Sequence, residues 1–288
     1  MTHVTLQRVM VRMLFDQGFT ERVRREPAVA LAGLELSERE IDWLLEPDPR
    51  AWRADADRPA RALSVLLQEY PAALALVVQA HGDLAPVQGY FSSTYFHRII
   101  QDKGSMALAF GDYVVALVAG GAIHDPRVTE VARLEQAIVR LHRQALPRGP
   151  EVRLDAPFYR LSPDKALHRA AAGTADLHEA IHGALGTRGK DLGRAVLAVR
   201  RLPNLPLGAP ATEPLLLELA RDDGPRVKFL TAAAEITSEL FDLLAFSRVP
   251  RDFAALVTEV TRLGADPDEA PEVIAGLIGE GVLTAQSP

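Results

Sequence analysis

"PLLLELARDDGPRVKFLTA", Pro214–Ala232, decides how this 288-residue chain divides. Two β-prone apolar runs flank Asp222, Asp223, Gly224 and Pro225, a cluster that stops a strand and turns it back on itself. A hairpin here makes the second half α+β. Downstream, apolar spacing predicts three short helices at Ile236–Phe246, Arg251–Leu263 and Glu269–Gly279, then a return strand in "EGVLTA" after Gly281. Hairpin, three helices and terminal strand together predict a winged-helix-like domain. Upstream, "PNLPLGAPATEP" reads as a Pro-rich connection, and "AVLAVRRL" as a short helix or strand. "TADLHEAIHGALG" reads as a helix that Thr174 could cap, and "VRLDAPFYRLS" includes a strand.

The first half is helical by the same criteria. Leu6, Val9, Met10, Met13 and Leu14 recur at helical spacing, and Ser37 with Glu40 forms a capping-box pattern. Pro47 and Pro49 stop the helix that this box opens. Longer helices are expected over Pro59–Ala80, Leu84–Gln101, Ser105–Val118 and Arg127–Leu146, with the wide apolar faces of a packed bundle. "PRGPEV", Pro147–Val152, is the sharpest break in composition. The expectation is therefore a mostly α chain with a small α+β part: a helical domain over 1–148 and a winged-helix-like domain over 149–288.

Composition excludes several functions. The chain has no cysteine, which removes disulfides, thiolate metal sites and cysteine nucleophiles. The hydrophobic share of 48% and charged share of 24% are those of an ordinary globular protein. Arg8, Arg12 and Asp16 interrupt the apolar pattern near the amino terminus, so neither a signal peptide nor a membrane span is expected there, and the cytoplasm is the expected location. A net charge of −6 argues against general nucleic-acid binding. A DNA-reading winged helix needs Lys or Arg on its third helix. Here that region carries Asp266, Asp268, Glu269, Glu272 and Glu280, with no Lys or Arg after Arg262.

"DLHEAIHGAL" holds His178, Glu179 and His182 in the H-E-x-x-H order of zinc peptidases, two metal-ligand types one helical turn apart with a carboxylate beside them to activate water. The surrounding sequence does not support a peptidase. Leu185 and Arg188 stand where the metzincin continuation has Gly and His, and Asp176 puts a charge where such helices are uncharged. A third protein ligand is required. Glu213 and Glu218 are the downstream candidates, in or after the Pro-rich connection. The other reading is a polar helix face, with Leu177, Ile181, Ala184 and Leu185 inward.

Three stretches carry a resemblance. "LQRVMVRMLFDQGFTERVRREPAVALAGLELSEREIDWLLEPDPRAW" resembles the amino-terminal segment of partner proteins of multinuclear non-haem iron oxidases, the group that includes the accessory subunit of methanobactin maturases. "YFSSTYFHRIIQDKGSMALAFGDYV", Tyr90–Val114, is similar to the Phe-Ser-Ser…Phe-His…Gly-Ser…Phe-Gly-x-Tyr segment of that group. "ITSELFDLLAF" and the following helices resemble its carboxy-terminal module, while Pro147–Pro210 matches least. The resemblance implies a non-catalytic subunit that forms a heterodimer with a TIM-barrel oxidase, the oxidase holding the iron and this chain no cofactor. It also implies that the winged-helix-like module captures the leader of a ribosomally made precursor peptide by adding it to a sheet edge. The expected edge is Arg226, Val227, Lys228, Phe229, Leu230 and Thr231. The expected oxidase-docking residues are Tyr90, Phe91, Tyr95, His97, Phe110 and Tyr113, although an aromatic cluster at helical spacing is more often core. Under the zinc-peptidase alternative, His178 and His182 are ligands and Glu179 the catalytic base.

Overall fold

The computed structural model describes residues 4–53, 55, 57–144, 157–186, 192–199, 201–222 and 228–286. The chain is mostly helical with a small sheet part. It forms two compact units, one of residues 1–132 with 181–203, the other of 133–180 with 204–288. The units thus do not follow the linear split at 148/149, and the break in composition at Pro147–Val152 lies outside the described residues.

In the first unit, α1 (Val4–Phe15), α2 (Gln17–Arg25), α3 (Pro27–Ala30), α4 (Glu38–Leu45) and α5 (Pro49–Arg53) enclose a core of Leu6, Val9, Met13, Phe19, Val23, Leu44 and Trp52. The Asp16 carboxylate caps α2 by accepting from the Phe19 N–H at 2.9 Å. The capping box forms as read: the Glu40 carboxylate accepts from the Ser37 N–H, and Ser37 Oγ accepts from the Glu40 N–H.

Two of the expected long helices are broken. Pro59–Ala80 is α6 (Arg58–Glu69) and α7 (Pro71–His81), bent by 110°. Pro71 has no N–H to continue the ladder, and its ring forces Tyr70 out of the helical region, to φ −130° and ψ 49°. Leu84–Gln101 is α8 (Ala85–Gln88), a 3-10 turn at Gly89–Ser92, and α9 (Thr94–Asp102). Extended Ser93 ends the turn and accepts from the Phe96 N–H to begin α9. Among the described residues no single helix is long and apolar enough to cross a membrane.

α10 (Met106–Ala119) crosses the ring of Tyr70, whose hydroxyl donates to the Ala107 carbonyl at 2.8 Å. Gly111 permits this approach: a Cβ there would stand 2.6 Å from Tyr70 Oη. Gly111→Ala therefore overpacks a buried, hydrogen-bonded site. The cost of about 1–3 kcal/mol outweighs a helix-propensity gain of up to about 1 kcal/mol. The midpoint of thermal unfolding should fall in Gly111→Ala and recover in part when Tyr70→Phe is added.

α11 (Arg127–Arg143) and, later in the chain, α12 (Thr174–Leu185) are unbroken helices that belong to both units, because the division falls inside them. α13 (Leu192–Ala198) settles the ambiguous "AVLAVRRL" as a helix, and it packs on α6 and α7 in the first unit.

The second unit holds two antiparallel sheets. β2 (Lys165–Ala172), β3 (Gly208–Asp222) and β4 (Lys228–Glu235) pair in that order, and β1 (Phe158–Leu161) pairs with β5 (Leu283–Gln286). The three expected helices are α14 (Ser238–Phe246), α15 (Phe253–Arg262) and α16 (Ala270–Gly279), around Leu243, Leu244, Leu256, Ile274 and Ile278. Three features depart from the expectation, the first being that β2 answers to no expected element. The return strand joins β1 rather than the hairpin. The Pro-rich connection becomes the first part of β3 from Gly208 onward, and the strand tolerates Pro214 for a geometric reason. The Pro214 carbonyl accepts from the Ile236 N–H, so its nitrogen also faces the β4 side, where β4 has already ended.

Side-chain alternation along β3 divides the two faces. Leu215, Leu217 and Leu219 bury against Leu134, Ala137 and Leu141 of α11. Leu216 turns with Leu167 toward the core of α14–α16. Arg169 of β2 fastens α14, reaching Asp242 at 3.2 Å and covering the Phe241 ring at 4.1 Å.

Candidate functional site

The first candidate is the outer edge of β4. Among the described residues no strand pairs with β4 except β3. Ile236 donates toward β3, so alternation turns the N–H and C=O groups of Thr231, Ala233 and Glu235 outward. Ala232 and Ala234 are exposed, and they leave shallow relief beside the edge. Thr231 Oγ1 meets His142 Nε2 of α11 at 2.6 Å. Of the expected edge residues, Arg226 and Val227 lie outside the described residues. Lys228, Phe229 and Leu230 contribute described backbone to β4, paired with Asp222, Arg221 and Ala220, but their side chains lie outside the described residues.

The second candidate is on α12. Its N-terminus is not capped by Thr174, whose hydroxyl donates to the Ala171 carbonyl. Glu213 of β3 caps it instead, accepting from the Gly173 N–H at 2.8 Å and the Ala175 N–H at 3.0 Å. A carboxylate at a helix N-terminus is stabilising by about 1 kcal/mol. This use occupies Glu213, and Glu218 pairs with buried Lys165 at 2.5 Å, so neither downstream carboxylate joins the histidines.

A residue that sequence reasoning missed does approach His178. Glu135 of α11, 2% exposed, places its carboxylate 3.7 Å from His178 Nε2 in the second unit. His182 follows His178 by one turn of the same unbroken helix. Leu177, Ile181 and Leu185 form the buried stripe of α12, whereas Ala184 faces solvent rather than inward. Both histidines are half-buried and Glu179 is exposed. The available signal for Glu135 was a single acid inside the apolar face of "VARLEQAIVRL", between Leu134 and Ile138.

The aromatic segment is mostly core. Tyr90, Phe91 and Phe110 are buried in the first unit and offer a partner no surface, which corrects their assignment as docking residues. Their packing is edge-to-face or tilted, with Tyr90 and Phe110 centroids 5.1 Å apart. Tyr90 donates its hydroxyl to the Met106 carbonyl, and burial, with Asp112 nearby, pushes its ionisation up. Tyr95, His97 and Tyr113 are partly exposed. Tyr95 and Tyr113 have centroids 6.0 Å apart, and the Arg98 guanidinium stands 5.8 Å from the Tyr95 ring.

His97 borders a cavity of about 300 Å³ that Arg8, Arg12, Phe19 and Leu34 also line. Its Nε2 lies 3.8 Å from Asp16, and Arg12 covers the Phe19 ring at 3.7 Å. Burial, then Arg12, lower the His97 pKa against the opposing pull of Asp16. With the folded value depressed, the unfolded chain takes up the proton first. The stabilising effect of neutral His97 is complete above about pH 6.5 and is lost as pH falls through the depressed value. His97→Gln should flatten this part of the dependence of unfolding midpoint on pH, while the response of the carboxylates at lower pH persists.

Comparison with known proteins finds no matching family model and no matching curated protein.

Proposed function

We propose that this chain is a non-catalytic accessory subunit that holds an extended precursor peptide and presents it to a TIM-barrel multinuclear iron oxidase. The observation that carries this reading is the outer edge of β4, which among the described residues no strand but β3 pairs. Its outward N–H and C=O groups at Thr231, Ala233 and Glu235 match the hydrogen-bonding needs of an added strand. The backbone would supply affinity, and the alternating side chains of the peptide would meet the two faces of the sheet.

The iron belongs to the oxidase in this reading. Gripping peptide and oxidase together raises the effective concentration of the reacting residue at the iron, so the gain is positional. Docking would use the partly exposed Tyr95 and Tyr113 with Arg98, since aromatic and Arg side chains dominate interface centres. Nucleic acid is a poor ligand for the module, because Asp266, Asp268, Glu269, Glu272 and Glu280 are all exposed around α16.

Ala233→Pro tests the edge. It removes one outward N–H and keeps the inward bonds to β3, a position where an edge strand tolerates proline. With the full chain, a TIM-barrel iron oxidase that co-purifies with it and a fluorescent copy of a precursor peptide that the parent chain binds, anisotropy should show binding weakened by about tenfold or more, roughly one charge-neutral hydrogen bond and its aligned neighbours. Unchanged affinity in a folded Ala233→Pro chain would remove β4 as the peptide site.

A further inference from the structure

We infer that the cavity beside α1 in the first unit binds a small monocarboxylate with an apolar body. The inference goes beyond peptide holding and does not depend on it. Every residue that lines the cavity belongs to that unit. Its volume of about 300 Å³ is at the lower end of small-molecule sites. Arg8 and Arg12 stand one turn apart on α1 and bring two guanidinium groups to one wall. Val9, Phe19, Leu34 and Ile100 give the same space an apolar lining. Convergent cations on an apolar wall suit a ligand that is charged at one end and greasy at the other.

The cationic groups are incompletely satisfied by the protein itself. Arg12 Nε and His97 Nε2 are both buried, and neither makes a hydrogen bond among the described residues. Asp16 is the nearest acid to each, but it stands 4.0 Å from Arg12 Nε and 3.8 Å from His97 Nε2. Its carboxylate already accepts from the Phe19 N–H. Burial pulls the Arg12 pKa below its usual value more than Asp16 raises it, and Arg22 adds to the fall. A buried cation so placed gains from an added anion, because Coulomb attraction is strongest where water is displaced.

The charge balance selects a monoanion. Arg8, Arg12 and nearby Arg22 are set against Asp16 and Glu35, and His97 is neutral at pH 7 because its pKa is depressed. One negative charge neutralises this group, whereas a phosphate dianion would exceed it. Glu35 is exposed, so water and salt screen its repulsion more than they screen the attraction of Arg12.

The test titrates the full chain with hexanoate in a calorimeter at pH 7. One equivalent should bind with a Kd of about 1 mM or tighter, well within reach of a ligand of that size. Hexanol has the chain without the charge and inorganic phosphate the charge without the chain; each should bind at least about tenfold more weakly. Arg8→Gln and Arg12→Gln should each weaken hexanoate binding by about tenfold or more, the worth of a charge-assisted hydrogen bond. Circular dichroism establishes that each variant is folded. If Arg12→Gln is not, because it also loses the contact with Phe19, Arg12→Lys replaces it, keeping the charge and losing the planar fork. No saturable hexanoate binding, hexanol or phosphate binding as tightly as hexanoate, or unchanged affinity in both arginine variants would each overturn the inference.

Discussion

Alternation along β3 is the constraint on which the second unit depends. Within seven residues, Glu213–Leu219, one strand serves three partners. Glu213 caps α12, the odd leucines bury under α11, and Leu216 turns to the α14 side. A one-residue slip would exchange the faces of all these side chains, burying Glu218 under α11 and exposing the leucines. The register of β3 therefore fixes the placement of the helices on both sides. Its pairing with β2 then leaves β4 as an outer strand. The candidate peptide edge and the α12 histidines are two consequences of the same strand.

Helix existence was legible in the sequence wherever periodicity and caps agreed. Ser37 and Glu40 opened α4 as read, and the three carboxy-terminal helices begin within two residues of their expected starts. Where apolar periodicity ran through a breaker, it misled. The run across Pro71 kept its spacing while the backbone turned, and Ser93 broke a second run by capping. The early part of β3 was hidden for the opposite reason. Pro210 and Pro214 look like a loop until the neighbouring strand is known to end short of Pro214. These are tertiary facts about which backbone side is paired, and local pattern does not contain them.

The candidate sites show the same division. The turn cluster from Asp222 located the hairpin, but which strand would be outermost depended on β2, a strand that the sequence reading did not find. The His178–Glu179–His182 spacing marked α12, yet the acidic neighbour of His178 came from upstream, more than forty residues away on α11. The aromatic segment Tyr90–Val114 has a largely architectural content. Ser93 and Ser105 begin helices, Gly111 admits Tyr70, and Tyr113 donates to the Pro86 carbonyl. A motif built from caps, a close-approach glycine and buried rings identifies a way of folding before it identifies a contact surface.

An unfilled strand border does not discriminate well among the chains it meets. β4 limits that hazard through its composition, "KFLTAAAE", which places charges at Lys228 and Glu235 and poor sheet-forming alanines through its centre. Among the described residues no strand covers this border, and an edge of that kind can pair with copies of itself when the protein is alone and concentrated. Any strand added along this border would thus act as a solubiliser, and production of the protein without one favours dilute conditions.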